Sequence, residues 1–77
     1  TLHVRHYDRV GVLAQVFDLL RRGGLNVEQM ENRIFAGGNA AVATIDLGDD
    51  LPRELLAQIA SIPDVIHASV VASGEAG

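Results

Sequence analysis

The chain contains no cysteine, no lysine and no tryptophan, and only three of its 77 residues are aromatic. Without cysteine it can form neither a disulfide framework nor a thiolate nucleophile, and a cytoplasmic location is the default expectation. Its hydrophobic core must therefore consist of valine, leucine, isoleucine and alanine. No apolar run approaches the roughly 20 residues of a membrane span, so we expect no membrane partner.

Positive charge is also scarce, because all six basic residues are arginines scattered along a chain of net charge −4. Proteins that bind a nucleic-acid backbone gather basic residues on one face, so we expect no nucleic-acid partner. We interpret residues 1–72 as one domain and 73–77 as a flexible polar tail. A domain this short buries only about 60% of its unfolded surface, which favours association with a second copy.

Hydrophobic periodicity divides the chain into two similar halves. In the first half, alternating apolar and polar residues predict a strand that ends near His6. An apolar stripe at helical spacing predicts a helix from about Val10 to Arg22, with Asp8 as its N-cap. The pair Gly23-Gly24 predicts a left-handed end to this helix.

The middle of the chain has the pattern of a β-hairpin. Residues 25–35 and 40–47 have the composition of strands, and Ala36-Gly37-Gly38-Asn39 has the composition of a tight turn. The apolar residues of the first segment do not keep one alternation. We therefore predict a bulge near Glu28-Gln29.

The last third predicts a second helix and a fourth strand. The helix should run from about Pro52 to Ser61, since proline is tolerated in a first helical turn. The strand should run from Val65 to Ala72, with Ile66, Ala68 and Val70 on its buried face.

The order strand, helix, strand, strand, helix, strand predicts an α+β fold, the ferredoxin-like βαββαβ sandwich. Right-handed crossovers give a four-stranded antiparallel sheet in the order 4-1-3-2, with both helices on one face. Strand two is then an edge, and it is more apolar than an unpaired edge should be. Since this fold serves many functions, the site has to decide the function.

The junction of the first strand and first helix has the features of an anion site. The N–H groups at Gly11, Val12 and Leu13 have no acceptor inside the helix, and the positive end of the helix dipole lies there. Glycine also lets a ligand approach the main chain closely. Such a corner suits a carboxylate or another small anion.

The chain resembles an ACT domain, the small-ligand regulatory module of amino-acid metabolism, in three segments: His6-x-Asp8-Arg9-x-Gly11-Val12-Leu13, Gly24-Leu25-Asn26-Val27 and Ile62-Pro63-Asp64-Val65. The similarity covers residues 2–72. More narrowly, the corner, Asn26 and the segment Glu28-Gln29-Met30-Glu31-Asn32 are similar to the C-terminal regulatory domain of D-3-phosphoglycerate dehydrogenase, the NAD-dependent first enzyme of serine synthesis.

This resemblance implies a regulatory domain that binds L-serine as feedback inhibitor at a homodimer interface. The residues themselves predict that the domain is not an enzyme, because it has no lysine or cysteine and no serine in a nucleophile elbow, and we expect no cofactor or metal in it. Carried over by position, the implied serine-binding side chains are His6, Asp8 and Asn26. With the main-chain donors of the corner and the neighbouring Val27, the predicted ligand-binding residues are His6, Asp8, Gly11, Val12, Leu13, Asn26 and Val27. The apolar edge predicts a dimer interface on strand two that contains Glu28, Met30, Asn32 and Ile34. The alternative is a ligand-free dimerisation module of a larger metabolic enzyme.

Two residues depart from the family pattern, which usually has asparagine at Asp8 and proline at Val10. A carboxylate at Asp8 would pair with the ammonium group of an amino acid but repel its carboxylate.

The site residues also have simpler interpretations. His6 could bind only the main chain at the end of its strand, and Asp8 could serve only as a helix cap. Asn26 could be a turn residue that binds its own backbone. His3 and His67 are predicted on the sheet face opposite the helices, but with Asp46 as the only nearby acid a metal site is disfavoured there.

Overall fold

A computed structural model of the chain describes residues 1–9, 11–35 and 37–71. Its elements are, in order, β1 (Leu2–Tyr7), α1 (Val12–Arg22), β2 (Val27–Ile34), β3 (Ala40–Leu47), α2 (Arg53–Ala60) and β4 (Val65–Val70). The strands form one antiparallel sheet in the order β2-β3-β1-β4, which is the predicted order seen from the other edge. The predicted ferredoxin-like βαββαβ fold is therefore confirmed. The proposed tail, 73–77, lies outside the described residues.

The hydrophobic core lies between the helices and one face of the sheet. Along β1, alternate residues are buried, as a strand with one covered face requires. Helix α1 contributes Val12, Val16 and Leu20, whose helical spacing puts them on one stripe. Burying such a side chain completely stabilises the fold by about 1.5–3 kcal/mol. The buried apolar residues are Leu2, Val4, Val12, Val16, Leu20, Ala41, Ala43, Ile45, Leu55, Ile59, Ile62 and Val65.

Helix α1 begins at Val12, later than the predicted start near Val10, which lies outside the described residues. Its N-cap is Gly11, and no side chain of the described residues caps it. The prediction that Asp8 is the N-cap is wrong. The Asp8 N–H donates to Asn39 O at 3.0 Å, so Asp8 belongs to the turn after β1. A capping side chain reaches an N–H two or three residues further on, and Asp8 is too far from Val12 for that.

The end of α1 follows the prediction at Gly23-Gly24. Gly24 adopts a left-handed conformation with φ 76°. The Leu25 N–H donates back to Leu20 O at 3.0 Å, which satisfies a carbonyl of the last turn.

The last turn of α1 also carries an exposed charge cluster. Arg21 and Arg22 contact the two carboxylate oxygens of Asp18 at 2.8 and 3.0 Å. The hydrogen bond from Arg21 lowers the pKa of Asp18, with a further contribution from the Arg22 charge that partial desolvation opposes. Positive side chains here also suit the negative end of the helix dipole.

The turn between β2 and β3 has the predicted hairpin form, although Ala36 lies outside the described residues. Phe35 N–H donates to Ala40 O at 2.9 Å and closes the hairpin. Gly37 and Gly38 have φ of 101° and 74°, values that glycine adopts without strain.

The bulge predicted near Glu28-Gln29 is confirmed. The pairing of β2 with β3 shifts between Val27 and Gln29, which leaves Glu28 as the extra residue. From Gln29 to Ile34 the strand is regular.

Helix α2 is shorter than predicted at both ends. Pro52 lies just before the helix instead of inside it, and its carbonyl accepts the N–H groups of Leu55 and Leu56, both at 3.1 Å. The helix ends at Ala60, and Ser61 follows as its C-cap.

Strand β4 differs from the prediction because it contains a second bulge. Its pairing with β1 shifts next to His6, so that Ile66 becomes the extra residue. Val65 is 9% exposed and Ile66 is 44% exposed. The prediction that Ile66 lies on the buried face is wrong, since the bulge moves Val65 there instead. The strand ends at Val70, and Ala72 lies outside the described residues.

The sheet face opposite the core carries mostly polar side chains. His3, Arg5 and His67 lie on this face, as their pairing registers require. Arg5 stacks over the Phe35 ring, with its guanidinium 5.7 Å from the ring centre. No helix in the described ranges is long and apolar enough to cross a membrane.

Candidate functional site

The corner between β1 and α1 presents main-chain donors to solvent. Gly11 turns the chain into the helix with φ 91° and ψ −12°. The Val12 N–H points at Arg9 O over a long 3.4 Å, which is a weak hydrogen bond. Within the described residues, the N–H groups of Gly11 and Leu13 have no main-chain acceptor. Apart from its two neighbours in the chain, no described residue places an atom within 4 Å of a methyl group built on Gly11, so the space beside this glycine is free of side chains.

Charged side chains of both signs surround this corner. Asp8 is exposed beside it. Arg9 lies with its Nε 3.7 Å from Asp64 Oδ1 and its guanidinium 5.8 Å from the centre of the Tyr7 ring. Because Arg9 is largely exposed, this ion pair contributes little to stability and leaves the corner adaptable.

His6 is a buried polar side chain, only 2% exposed. Its Nδ1 lies 2.9 Å from Tyr7 O, and its Nε2 lies 3.1 Å from Asn32 Oδ1 on β2. The second bond spans β3, which lies between β1 and β2. The small side chains of Ala41 and Ala43 face the core there and leave room for the imidazole.

The two atoms that face the His6 ring are both hydrogen-bond acceptors. A neutral imidazole has one donor and one acceptor nitrogen, whereas an imidazolium has two donors. Either His6 carries both protons, or the Asn32 amide is turned by half a rotation so that its nitrogen donates to Nε2. In both cases the two side chains are partners, and a ligand that contacted a ring nitrogen of His6 would have to displace Asn32 or Tyr7 O.

Asn26 and Val27 lie at the other end of the sheet from this corner. His6 pairs with Ala41 at the start of β3, whereas Val27 pairs with Leu47 at its end. Six residues of strand separate these pairs by about 20 Å. The ligand-binding residues implied by the ACT resemblance therefore form two groups within one chain.

Strand β2 is the edge that carries the predicted dimer residues. All eight of its residues are exposed. Met30, Asn32 and Ile34 pair with buried residues of β3, so their side chains lie on the helix side of the sheet. Met30 is nevertheless 42% exposed and Ile34 53% exposed, so the helices leave both side chains partly uncovered. Within the described residues, this edge has no neighbouring strand.

The histidines of the outer sheet face do not assemble into a metal site. His3 pairs with Ser69, and Arg5 pairs with His67. The described residues contain no group of three or more histidine, cysteine, aspartate or glutamate side chains that could hold a metal ion. Asp46 instead accepts a hydrogen bond from Thr1 Oγ1 at 2.7 Å.

Three clefts formed by the described residues lie away from the corner. A cleft of about 360 Å³ lies at the opposite end of the sheet, beside Asp49, Asp50 and Thr1. Another of about 500 Å³ lies on the outer sheet face, and a third of about 340 Å³ separates the end of α1 from the start of α2. None is lined by Gly11, Val12 or Leu13. A ligand at the corner would therefore gain no wall from these three clefts.

The link between His6 and Asn32 was not anticipated from the sequence. The sequence indicates His6 as a ligand contact and Asn32 as a dimer contact. The signal was present in the predicted strand order: residues on the same face of β1 and β2 can touch across β3 when β3 carries alanines there.

No protein-family model matches the chain, and no curated protein matches it either.

Proposed function

We propose that this chain is a regulatory domain that binds a small L-amino acid, with L-serine the first candidate, between two copies of itself. The parent chain would be a cytoplasmic, NAD-dependent 3-phosphoglycerate dehydrogenase, and binding would exert feedback control on serine synthesis. The support is the resemblance to ACT domains together with the ferredoxin-like fold. In this proposal the domain has no catalytic residues and no cofactor.

One observation carries the proposal above the others. The Gly11 corner offers open main-chain donors at the start of α1, where the helix dipole favours a negative charge. A carboxylate is the ligand group that fits it best. The exposed carboxylate of Asp8 would then pair with the ammonium group of the same ligand.

A dimer through β2 would complete the site. An antiparallel pairing of two β2 strands reverses one copy relative to the other, so the Asn26 end of one copy comes to the Gly11 end of the second. Asn26 and Val27 of the second copy would then provide the wall that a single chain lacks. Glu28, Met30, Asn32 and Ile34 would form the interface.

Isothermal titration calorimetry of the dimeric protein with L-serine tests this proposal. We expect saturable heat, and weaker binding of L-alanine by about 1–3 kcal/mol, because alanine leaves the partners of the serine hydroxyl unpaired. Asn26→Ala should weaken serine binding, whereas Gln58→Ala, an exposed amide on α2, should not. Absence of heat and of thermal stabilisation at millimolar serine, in a protein shown to be dimeric, would refute the ligand.

The second candidate is a dimerisation module that binds no ligand. The geometry of His6 favours it, because both ring nitrogens already have partners inside the chain. A dimer that gives no heat with any of the standard amino acids would support this candidate. Tighter binding of an amino acid other than serine would keep the site and change only its ligand.

A further inference from the structure

The main chain of β2 presents a regular set of unpaired groups at the sheet edge. Phe35 N–H donates to Ala40 O, so the main-chain groups of Phe35 face β3. Successive residues of a strand point their N–H and C=O groups in opposite directions. The main-chain groups of Met30, Asn32 and Ile34 therefore point away from β3, and the same three side chains lie on the helix side.

Two copies related by a twofold axis can join this edge in two ways. An axis along the strand gives parallel strands and places the helices of the copies on opposite faces. An axis perpendicular to the sheet gives antiparallel strands and keeps the helices on one face. Only the second arrangement brings the exposed apolar side chains Met30 and Ile34 of both copies to the same face. It therefore buries apolar surface that neither copy covers alone.

Symmetry limits the register of the antiparallel pair. Residues that face each other across the two β2 strands must lie on the same face of the sheet. The twofold axis therefore has to pass beside a residue that faces the same residue of the second copy. Along the regular part of β2, the central candidates are Met30, Glu31, Asn32 and Arg33.

Three of these four registers create poor contacts. An axis at Glu31 places the Glu31 carboxylates of the two copies opposite each other, and an axis at Arg33 does the same with the two guanidinium groups. Both like-charge contacts are destabilising. An axis at Met30 pairs the two methionines but places Ile34 opposite the segment beyond the Glu28 bulge of the second copy, outside the regular part of β2.

An axis at Asn32 gives matched contacts on both faces. On the helix side, Met30 of each copy faces Ile34 of the other. On the outer side, Glu31 of each copy faces Arg33 of the other, as an opposite-charge pair. In the single chain these two side chains form an ion pair with each other at 3.4 Å, and both are largely exposed, so they are available for exchange.

We propose that two copies of this chain pair antiparallel along β2 in this one register, with Asn32 facing Asn32 of the second copy across the twofold axis. The inference rests on the dimer of the proposed function and specifies its geometry. His6 bonds one end of the Asn32 amide at 3.1 Å. In the proposed dimer, the other end of the amide would bond Asn32 of the second copy. A polar residue at a symmetry axis specifies register, as asparagine does within coiled coils.

The register also assembles the proposed ligand site. It carries the Asn26 end of the second copy past the end of β2 at Ile34, towards the hairpin turn that contains Gly38. The neighbouring Asn39 binds the Asp8 N–H through its carbonyl at 3.0 Å. Asn26 thus arrives beside the turn that supports the Gly11 corner.

The other sheet edge is less suited to such pairing. Strand β4 has six residues against eight in β2, and the bulge at Ile66 interrupts its edge. Bulges are a common protection against edge-to-edge association. Helix α2 also packs against β4, whereas all eight residues of β2 are exposed.

Because the chain has no cysteine, single-cysteine variants report the register directly. Facing residues of an antiparallel pair have Cα atoms about 4.5–5.5 Å apart, within the range of a disulfide. We expect Asn32→Cys to form a disulfide-linked dimer under mild oxidation. The matched variants Met30→Cys, Glu31→Cys and Arg33→Cys should cross-link at least about tenfold more slowly, since their thiols are on diagonal positions or further apart.

Each outcome decides the proposal. Faster cross-linking at one of the three control positions would overturn the register but leave a β2 dimer. No cross-linking in any variant, with a dimer seen by sedimentation of the unmodified chain, would overturn β2 as the interface. A monomer by sedimentation would overturn the dimer of the proposed function as well.

Charge reversal provides a second test that leaves Asn32 unchanged. Glu31→Arg and Arg33→Glu each place two like-charged pairs across the axis, and each should raise the dimer dissociation constant about tenfold. The double variant restores opposite charges and should return the constant to within about threefold of the original. Failure of the double variant to recover, with an unchanged circular dichroism spectrum, would overturn the register.

Discussion

Gly11 is a residue whose identity the backbone alone requires. Its φ of 91° lies in the left-handed region, and no neighbouring atom is within 4 Å of the place where a side chain would begin. The demand for glycine thus comes from conformation and not from crowding. The same empty space leaves the donors of the corner open to a ligand.

Gly11→Ala should lower the free energy of unfolding by about 1–2 kcal/mol, since the methyl group strains a left-handed backbone. Gly11→Asn is the matched variant, because asparagine tolerates this conformation better than alanine does. Urea unfolding followed by circular dichroism would measure both. A larger loss for asparagine than for alanine would mean that space, not conformation, governs this position.

At the same scale, the sequence was enough to single out His6 and Asn32 but not to join them. The alternation of β1 indicates that His6 shares a face with Leu2 and Val4. Its bond to Asn32 depends on the registers of two strand pairs and on the small Ala41 between them. Such registers follow from the whole sheet, which no local pattern describes.

At the scale of elements, the two bulges show what a pattern can and cannot predict. In β2 the apolar residues break alternation near Glu28, and the bulge was predicted from that break. In β4 the residues Ile66, Ala68 and Val70 alternate without interruption, yet the strand bulges at Ile66. The reason lies in the pairing with β1, because the bulge brings Val65 under the helices beside His6.

Substitutions of Val65 and Ile66 test which of the two residues belongs to the core. Val65→Ala should destabilise the domain by about 1–3 kcal/mol, because it removes buried methyl groups. Ile66→Ala removes more atoms but from an exposed side chain, so it should cost less than about 1 kcal/mol. Urea midpoints of the two variants at equal slope would compare them, and a larger loss for Ile66→Ala would place Ile66 in the core after all.

The start of α1 is a second place where a local pattern predicts the element but not its exact boundary. Asp8 was predicted as N-cap because it is a good capping residue just before an apolar stripe. The structure places Gly11 there, and Asp8 binds the hairpin turn through its N–H. Residue propensities were enough to predict that a helix forms. Which residue is its N-cap depends on the long-range hydrogen bond between Asp8 and the hairpin turn.

At the scale of the whole molecule, the order of elements was sufficient to predict the fold, since few sheets accommodate two strand-helix-strand units in so short a chain. The candidate site could be predicted only as two separate groups of residues. The Gly11 corner and Asn26 lie at opposite ends of the sheet, so one chain cannot bring them together. The proposed assembly, not the fold, is what would make them a site.

The alternating direction of the main chain in β2 has a consequence for proton exchange with solvent. In a dilute, monomeric sample the amide protons of Met30, Asn32 and Ile34 should exchange with deuterium quickly, while those of the residues between them, bonded to β3, exchange slowly. Raising the concentration until dimers form should slow the three fast protons selectively and leave the others almost unchanged. Residue-resolved NMR would show exchange rates that alternate along β2 with a period of two, and this alternation should fade as the second copy binds. Uniform exchange rates along β2 at both concentrations would contradict the prediction.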